Sequence, residues 1–261
     1  MDVDKIIQHI TDWLNDYVKK SNTKGFVAGV SGGIDSAVSS ALAARTRLPL
    51  ICVEMPIHQG KEQVARAREH IGFLKRNYSN TTSREVELTP VFDQLVRALP
   101  ETKNTTEREM SLVNTRARLR MTTLYYFAAL NNYLVLGTGN KVEDFGIGFF
   151  TKYGDGGVDL SPIADLTKTE VYKLGEKLGI IESIMTAAPT DGLWGDNRTD
   201  EDQIGASYPE LEWAMEFTGE ESALGDRQKE VLCIYRRYRQ ANQHKMVPIP
   251  VCVIPAEFKQ A

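Results

Sequence analysis

Six consecutive residues, Ser31-Gly-Gly-Ile-Asp-Ser36, join an apolar segment to a run of small residues, and their types point to phosphate chemistry. Gly32 and Gly33 let backbone N–H groups come close to an anion, and Ser31 and Ser36 add hydroxyl donors. A helix starting just beyond adds the positive end of its dipole. With Gly29, Val30 and Ile34, the stretch from Gly29 to Ser36 reads as a phosphate cradle. It is not a Walker A loop, since no Gly-Lys-Ser/Thr follows, and it is not GxGxxG. Asp35 would oppose a bare phosphate, and a Mg²⁺ ion between the two removes the conflict. The alternative is a tight strand-to-helix turn in which Asp35 and Ser36 only cap the helix.

Further groups with chemical potential follow downstream. Asn114 and Arg118 lie four apart on one helix face, where an arginine fork grips phosphate or carboxylate; a solvated basic face including Arg116 and Arg120 is the other reading. Gly137-Thr-Gly-Asn-Lys-Val-Glu143 puts Thr138 and Glu143 at the carboxyl end of a strand, the usual ligand edge of an open parallel sheet. Glu143 could be a second Mg²⁺ carboxylate, although alone it would be an ordinary helix-start glutamate. Phe149 to Asp159 mixes aromatics, Lys152, Asp155 and Asp159 among glycines, a set suited to a planar ring with charged appendages. Lys168 at a helix start could reach phosphate. Thr190, Asp200-Glu201, Gly205, Tyr208 and His244-Lys245 complete the series.

SGGIDS resembles the pyrophosphate-binding loop of the N-type ATP pyrophosphatases, which cleave ATP between its α and β phosphates. NxRAR, GTxNKxE, FTKYGDGG, PIxxLxKT, APTxGLW and DE…G…Y together resemble the NAD synthetase family from Gly29 to Lys245. The resemblance implies a Rossmann-like fold of the adenine nucleotide alpha hydrolase type. It also implies a reaction in which ATP adenylates the nicotinate carboxylate of deamido-NAD and ammonia then displaces AMP. Carried over residue by residue, Gly29 to Ser36, Thr138, Lys168 and Thr190 would contact ATP, and Asp35 and Glu143 would ligate Mg²⁺. Asn114, Arg118, Lys152, Asp159, His244 and Lys245 would hold deamido-NAD. Asp155 would sit where ammonium binds and loses its proton, with Lys168 neutralising the departing pyrophosphate. Similar family members are homodimers with the dinucleotide at the interface. His244-Lys245 is followed by Met246, where the family commonly has arginine, so a third basic residue is missing from that motif.

These groups need elements to position them. Ile6, Ile7, Ile10, Trp13, Leu14 and Val18 recur at helical spacing. Phe26 to Val30, Leu48 to Met55 and Tyr133 to Leu136 read as buried strands; Ala37 to Ala44, Lys61 to Leu74, Thr89 to Ala98 and Met110 to about Asn131 read as helices. Strand, loop, helix and strand in this order predict an α/β fold with an open parallel sheet flanked by helices. Pro100 to Glu107 is a polar connection and Gly146 to Ser161 an irregular loop. Thr167 to Leu178, Glu210 to Phe217 and Arg227 to Arg239 are helices, and Pro189 to Pro209 is a polar loop expected to order on substrate binding. One domain over residues 1–261 is the simplest organisation. With 28 residues before Gly29 and 16 after Lys245, no amidotransferase domain is expected, which selects free ammonia as nitrogen donor.

Composition excludes several classes. Lys and Arg number 31 against 35 Asp and Glu, a formal charge of −4, which argues against a nucleic-acid binder. Three scattered cysteines offer neither a disulfide framework nor a CxxC pair and fit a reducing cytoplasm. Asp2, Asp4, His9 and Asp12 interrupt any secretory apolar core, and no run approaches the roughly 20 apolar residues of a membrane helix. Cys52, inside a strand, reads as core. Two other classes are weighed. A tRNA-thiolation enzyme would need cysteines placed for sulfur transfer and a basic surface. A non-enzymatic nucleotide-binding module would need neither the carboxylate pair nor FTKYGDGG.

Overall fold

The computed structural model describes residues 1–190 and 199–259. Among these, four parallel strands form one sheet: β1 (Phe26–Gly29), β2 (Leu50–Glu54), β3 (Thr81–Glu85) and β4 (Leu134–Leu136), in the order β3-β2-β1-β4. The helices in chain order are α1 (Val3–Ser21), α2 (Ile34–Arg45), α3 (Lys61–Asn77), α4 (Thr89–Ala98), α5 (Thr105–Asn131), α6 (Lys168–Leu178), α7 (Glu182–Met185), α8 (Asp200–Ile204), α9 (Tyr208–Glu216) and α10 (Asp226–Met246). A π-helical turn spans Lys141–Ile147.

Strands covered on both faces must be apolar on both, which is why β1, β2 and β4 read as continuous hydrophobic runs. Phe26, Ala28, Leu50, Cys52, Leu134 and Leu136 pack under α1, α2, α3, α6 and α7. Val27, Ile51, Val53 and Val135 face α4 and α5 on the other side. A third cluster joins the π-helical turn to α8, α9 and α10 through Val142, Ile147, Ile204, Leu211 and Val231. Burial pushes the Cys52 thiol up to about 12, so it is an inert core residue as expected.

The sheet order fixes the ligand edge. β1 feeds α2 and then β2 on one side, while β4 pairs with β1 on the other. The gap between the carboxyl ends of β1 and β4 is therefore the topological switch point, the place where open parallel sheets bind ligands.

Several expected boundaries change. β3 was not expected at all: Thr82, Arg84 and Glu85 are polar, and this edge strand is held by its backbone ladder to β2. The first turn of α2 is Ile34, Asp35 and Ser36, so the loop runs into the helix three residues earlier than its apolar pattern implies. α5 starts at Thr105, capped by Asn104, inside the expected polar connection. α10 continues to Met246 and carries His244 and Lys245 in its last turn. The expected irregular loop begins at Gly148, because Gly146 and Ile147 close the π-helical turn. The expected loop from Pro189 to Pro209 contains α8, closed by a Thr199–Asp202 capping box, and the start of α9. Residues 191–198, which include Leu193 and Trp194 of the APTxGLW motif, lie outside the described residues. Among the described residues no helix is long and apolar enough to cross a membrane.

Candidate functional site

The glycine loop leaves β1 and turns at Gly32, whose φ is +84°. A Cβ there would lie 2.6 Å from the Gln63 carbonyl oxygen, so only glycine lets α3 approach the loop this closely. No side chain caps α2. The Ser36 hydroxyl instead donates to the Gly33 carbonyl (3.0 Å) and accepts from the Ser31 N–H (3.2 Å), bracing the loop from within. Asp35 also turns away from the helix end, so the cap-only reading of this turn does not hold.

Asp35 instead meets two groups brought by distant segments. Lys168 Nζ, from the start of α6, lies 2.5 Å from Asp35 Oδ2 and 2.9 Å from Glu143 Oε1. Asn140 donates to Asp35 Oδ1 (3.3 Å), while its carbonyl oxygen accepts the Val142 and Glu143 N–H groups at 3.0 and 3.1 Å. Asn140 therefore caps the π-helical turn and ties the two carboxylates together. Tyr208, 3% exposed at the start of α9, donates to Glu143 Oε1 at 2.5 Å and lies 3.1 Å from Asp200 Oδ2. Its ring centroid is 4.6 Å from Lys168 Nζ. Thr167 caps α6 with a capping box to Glu170, which fixes where Lys168 projects.

Charge at this centre is divided unequally. Burial works against the Lys168 cation, but Asp35 and Glu143 outweigh it and hold its pKa above the usual lysine range. The two carboxyls share one cation. Burial raises both, yet Lys168 and the Tyr208 hydroxyl bring Glu143 below its usual range, while Asp35 is pushed up to about 6 by burial and the charge of Glu143. Asp144 is pushed well up by burial and then by Glu143, Asp155 and Asp35. Its carboxyl lies over Gly139, where a Cβ would sit 2.0 Å from it. Asp155 is also raised, first by burial, although the Thr151 N–H at 2.9 Å works against the rise.

The loop, the carboxylates and Lys168 line one cleft of about 280 Å³ at the switch point, near the lower end of the roughly 300–1,000 Å³ usual for ligand pockets. Gly29 to Ser36, Thr138, Glu143, Asp155, Lys168 and Thr190 all border it. Asn114, Arg118, Lys152, Asp159, His244 and Lys245 do not. Five of these gather around the aromatic loop instead. Asn114 accepts from the Thr151 hydroxyl (2.7 Å), Arg118 donates to the Lys152 carbonyl (3.3 Å), Lys152 donates to the His244 carbonyl (2.8 Å), and Lys245 donates to the Phe150 carbonyl (2.7 Å). The sixth, Asp159, accepts from the Val135 N–H (2.7 Å) and the Tyr125 hydroxyl (3.0 Å), which places it on the backbone of β4.

Among the described residues no three His, Cys, Asp or Glu side chains form a metal cage. Mg²⁺ does not need one, since it is commonly held by one or two carboxylates together with substrate phosphates. Asp35 and Glu143 are hard oxygen donors that already converge on one cation, the ammonium of Lys168, beside a phosphate-type loop. They fit that metal. Sequence reasoning assigned no role to Asn140, Asp144, Tyr208 or Asp200 in this centre; Asn140 in GTxNKxE, and Asp200 and Tyr208 in DE…G…Y, carried a motif signal, and Asp144 carried none.

A sequence model described as NAD synthase matches residues 6–248. A protein named NH(3)-dependent NAD(+) synthetase from Carboxydothermus hydrogenoformans is 40% identical, over 91% of this chain and 93% of its own length. One of the same name from Syntrophomonas wolfei is 35% identical over 99% and 100%. Among solved structures, an NMN synthetase from Francisella tularensis superposes with a TM-score of 0.82 at 29% identity, covering 98% of this chain and 99% of that one. An NH3-dependent NAD synthetase from Campylobacter jejuni, in complex with the nitrate ion, gives 0.75 at 28% identity, covering 97% and 100%.

Proposed function

This chain belongs to the NAD synthase family, and from that premise we propose that its cleft performs ATP-dependent amidation of deamido-NAD with ammonia, releasing AMP and pyrophosphate. The observation that carries the reading is the convergence of Asp35, Glu143 and Lys168 beside the glycine loop, at the carboxyl ends of β1 and β4. A phosphate loop with a paired carboxylate centre suits cleavage of ATP at the α phosphate.

In the first step a nicotinate carboxylate oxygen attacks the α phosphorus and pyrophosphate leaves. Gly29 to Ser36, with Thr138 and Thr190, hold the phosphates, and Lys168 offsets the charge that develops on the leaving group. Asp35 and Glu143 would hold Mg²⁺, which supplies further charge neutralisation there. In the second step bound ammonium gives one proton to Asp155, the lone pair of the resulting ammonia attacks the activated carbonyl carbon, AMP departs, and the second proton, shed by the new amide nitrogen, goes to solvent. A carboxyl whose pKa is raised by burial is a better proton acceptor than a solvated one, which supports this role. Asn114, Arg118, Lys152, Asp159, His244 and Lys245 would bind the dinucleotide outside the ATP cleft.

A homodimer is part of the same proposal. Tyr126 and Leu130, four residues apart on α5, are 62% and 67% exposed, an apolar pair that a second copy of the chain would cover. We assign residues 1–261 to one synthetase domain acting in the cytoplasm, a compartment consistent with three unpaired cysteines, two of them exposed.

The test is incubation with ATP, Mg²⁺, ammonium and deamido-NAD, reading AMP and NAD. Equal amounts are expected, and absence of NAD refutes the proposal. A second reading, amidation of nicotinic acid mononucleotide, is favoured by the likeness to the Francisella NMN synthetase. The same assay with the mononucleotide decides between them by the ratio of kcat/KM values. A solution mass equal to one chain at micromolar concentration would refute the dimer.

A further inference from the structure

We propose that Tyr208 is a positioning residue for Glu143, fixing the carboxylate that receives the cation of the reaction; the inference rests on the reading of Asp35 and Glu143 as Mg²⁺ ligands. Tyr208 neither borders the phosphate loop nor carries any role in the chemistry above. Its hydroxyl and its ring nevertheless meet this centre, at Glu143 and at Lys168.

Glutamate has three rotatable side-chain bonds, so a single lysine contact leaves its carboxylate free to pivot. The phenol supplies a second fixed point. Its hydroxyl lies 2.5 Å from Glu143 Oε1, the same oxygen that Lys168 approaches at 2.9 Å. Donors from two directions define the aim of that oxygen, while Asn140 fixes the backbone of Glu143 by accepting its N–H. Tyr208 is itself held firmly. It is 3% exposed, its N–H donates to Glu201 (2.9 Å), and the preceding Ser207 forms a capping box with Glu210. A phenol oxygen cannot leave the plane of its ring, so a held ring means a held hydroxyl.

The hydroxyl also lies 3.1 Å from Asp200 Oδ2. A phenol has one proton, and the shorter distance gives it to Glu143. Asp200 N–H in turn donates to the Pro189 carbonyl at 3.0 Å, one residue before Thr190. Tyr208 thus stands between the carboxylate pair and the residue that holds the backbone leading to a proposed ATP contact. It aims one group and takes part in no bond that forms or breaks.

Tyr208→Phe removes only the hydroxyl and keeps the ring beneath Lys168. Three variants, Tyr208→Phe, Asp200→Asn and Glu143→Ala, are compared with the intact chain by Mn²⁺ binding in the presence of ATP, read by electron paramagnetic resonance, alongside Mg²⁺ titrations of turnover. Tyr208→Phe should raise the half-saturating metal concentration about tenfold, equivalent to ~1.4 kcal/mol. The KM for ammonium and kcat at saturating Mg²⁺ should stay within about twofold, a split that a general structural defect would not produce. Asp200→Asn keeps the Glu143 contact and should leave metal affinity within the same margin. Loss of affinity in Glu143→Ala with none in Tyr208→Phe overturns the positioning role alone. Unchanged affinity in Glu143→Ala overturns the metal reading, and the positioning role falls with it. Should Tyr208→Phe melt well below the intact chain, its metal affinity is read at a temperature where circular dichroism shows it folded: a tenfold loss there supports the proposal, and an affinity equal to that of the intact chain overturns it.

Discussion

Replacing Lys168 by methionine keeps a long unbranched side chain and removes its charge, which exposes the electrostatics of the cleft to direct measurement. Lys168, Asp35 and Glu143 side chains are 4%, 17% and 15% exposed, so solvent screening is weak. Removing one partner of a buried ionic group leaves the others uncompensated, at a typical cost of about 3–5 kcal/mol. For a chain of this size each kcal/mol lowers the melting midpoint by about 2–4 °C, so a fall of roughly 10 °C is expected near pH 7.5. The sign of the pH dependence follows. Without the lysine, both carboxyls acquire folded-state pKa values above those of the unfolded chain, so the folded variant binds the more protons. Its stability therefore rises as pH falls, and its deficit relative to the intact chain shrinks between pH 7 and 5. Mg²⁺ should stabilise the variant more than the intact chain, where the ion competes with Lys168. At a hundredfold excess over its dissociation constant a ligand contributes about 2.7 kcal/mol. Denaturant unfolding at several pH values, with and without Mg²⁺, measures all three effects. A deficit below about 1 kcal/mol, unchanged by pH and by Mg²⁺, would refute the reasoning.

Gly32→Ala should cost roughly 1–3 kcal/mol, since alanine resists a φ of +84° and its Cβ would meet the Gln63 carbonyl; melting and ATP calorimetry should fall together. His70, fully buried with Nε2 3.0 Å from the Ser40 hydroxyl, has its pKa lowered by burial to about 4. Its unfolded form takes up a proton first, so stability is lost as pH falls through 6.5 and the loss levels off near 4, about 3 kcal/mol in all. His70→Gln should remove that slope in unfolding curves taken at pH 7, 5.5 and 4, and a persisting slope would assign it elsewhere. Asp155→Asn should raise the half-saturating ammonium concentration at least tenfold while leaving ATP affinity unchanged, checked by steady-state kinetics and calorimetry.

The sequence is most legible where local pattern and local chemistry coincide. Phe26 to Ser36 shows an apolar run, two glycines and a small-residue helix within a few positions, and the strand, loop and helix follow directly. Thr81 to Glu85 gives no such pattern, because a polar edge strand is defined by its neighbour's backbone. The candidate centre is legible in its charged members. Asp35, Glu143 and Lys168 stand out by type and by their places at element ends. Asn140 and Tyr208 fall within the GTxNKxE and DE…G…Y motifs, but their roles stay hidden, because these depend on contacts with residues as distant as Asp35 and Glu143 in the chain. Asp159 is legible as a charged member of the aromatic loop, while its hold on the backbone of β4 and on Tyr125 is not, because those bonds cross 24 and 34 residues of chain.

The π-helical turn at Lys141–Ile147 bears on how the chain tolerates changes in length. Such turns carry about one residue more than an α-helical path between the same ends, so this is a place where the backbone can lose a residue and still close. Closure would not preserve the chemistry. Each residue of an α-helix turns by about 100°, so a one-residue deletion would rotate Glu143 and Asp144 out of register with Asp35 even as Gly148 and the aromatic loop kept their places. The length of this segment is set by where two carboxylates point, and insertions or deletions there alter the charge presented to the cleft before they alter the fold.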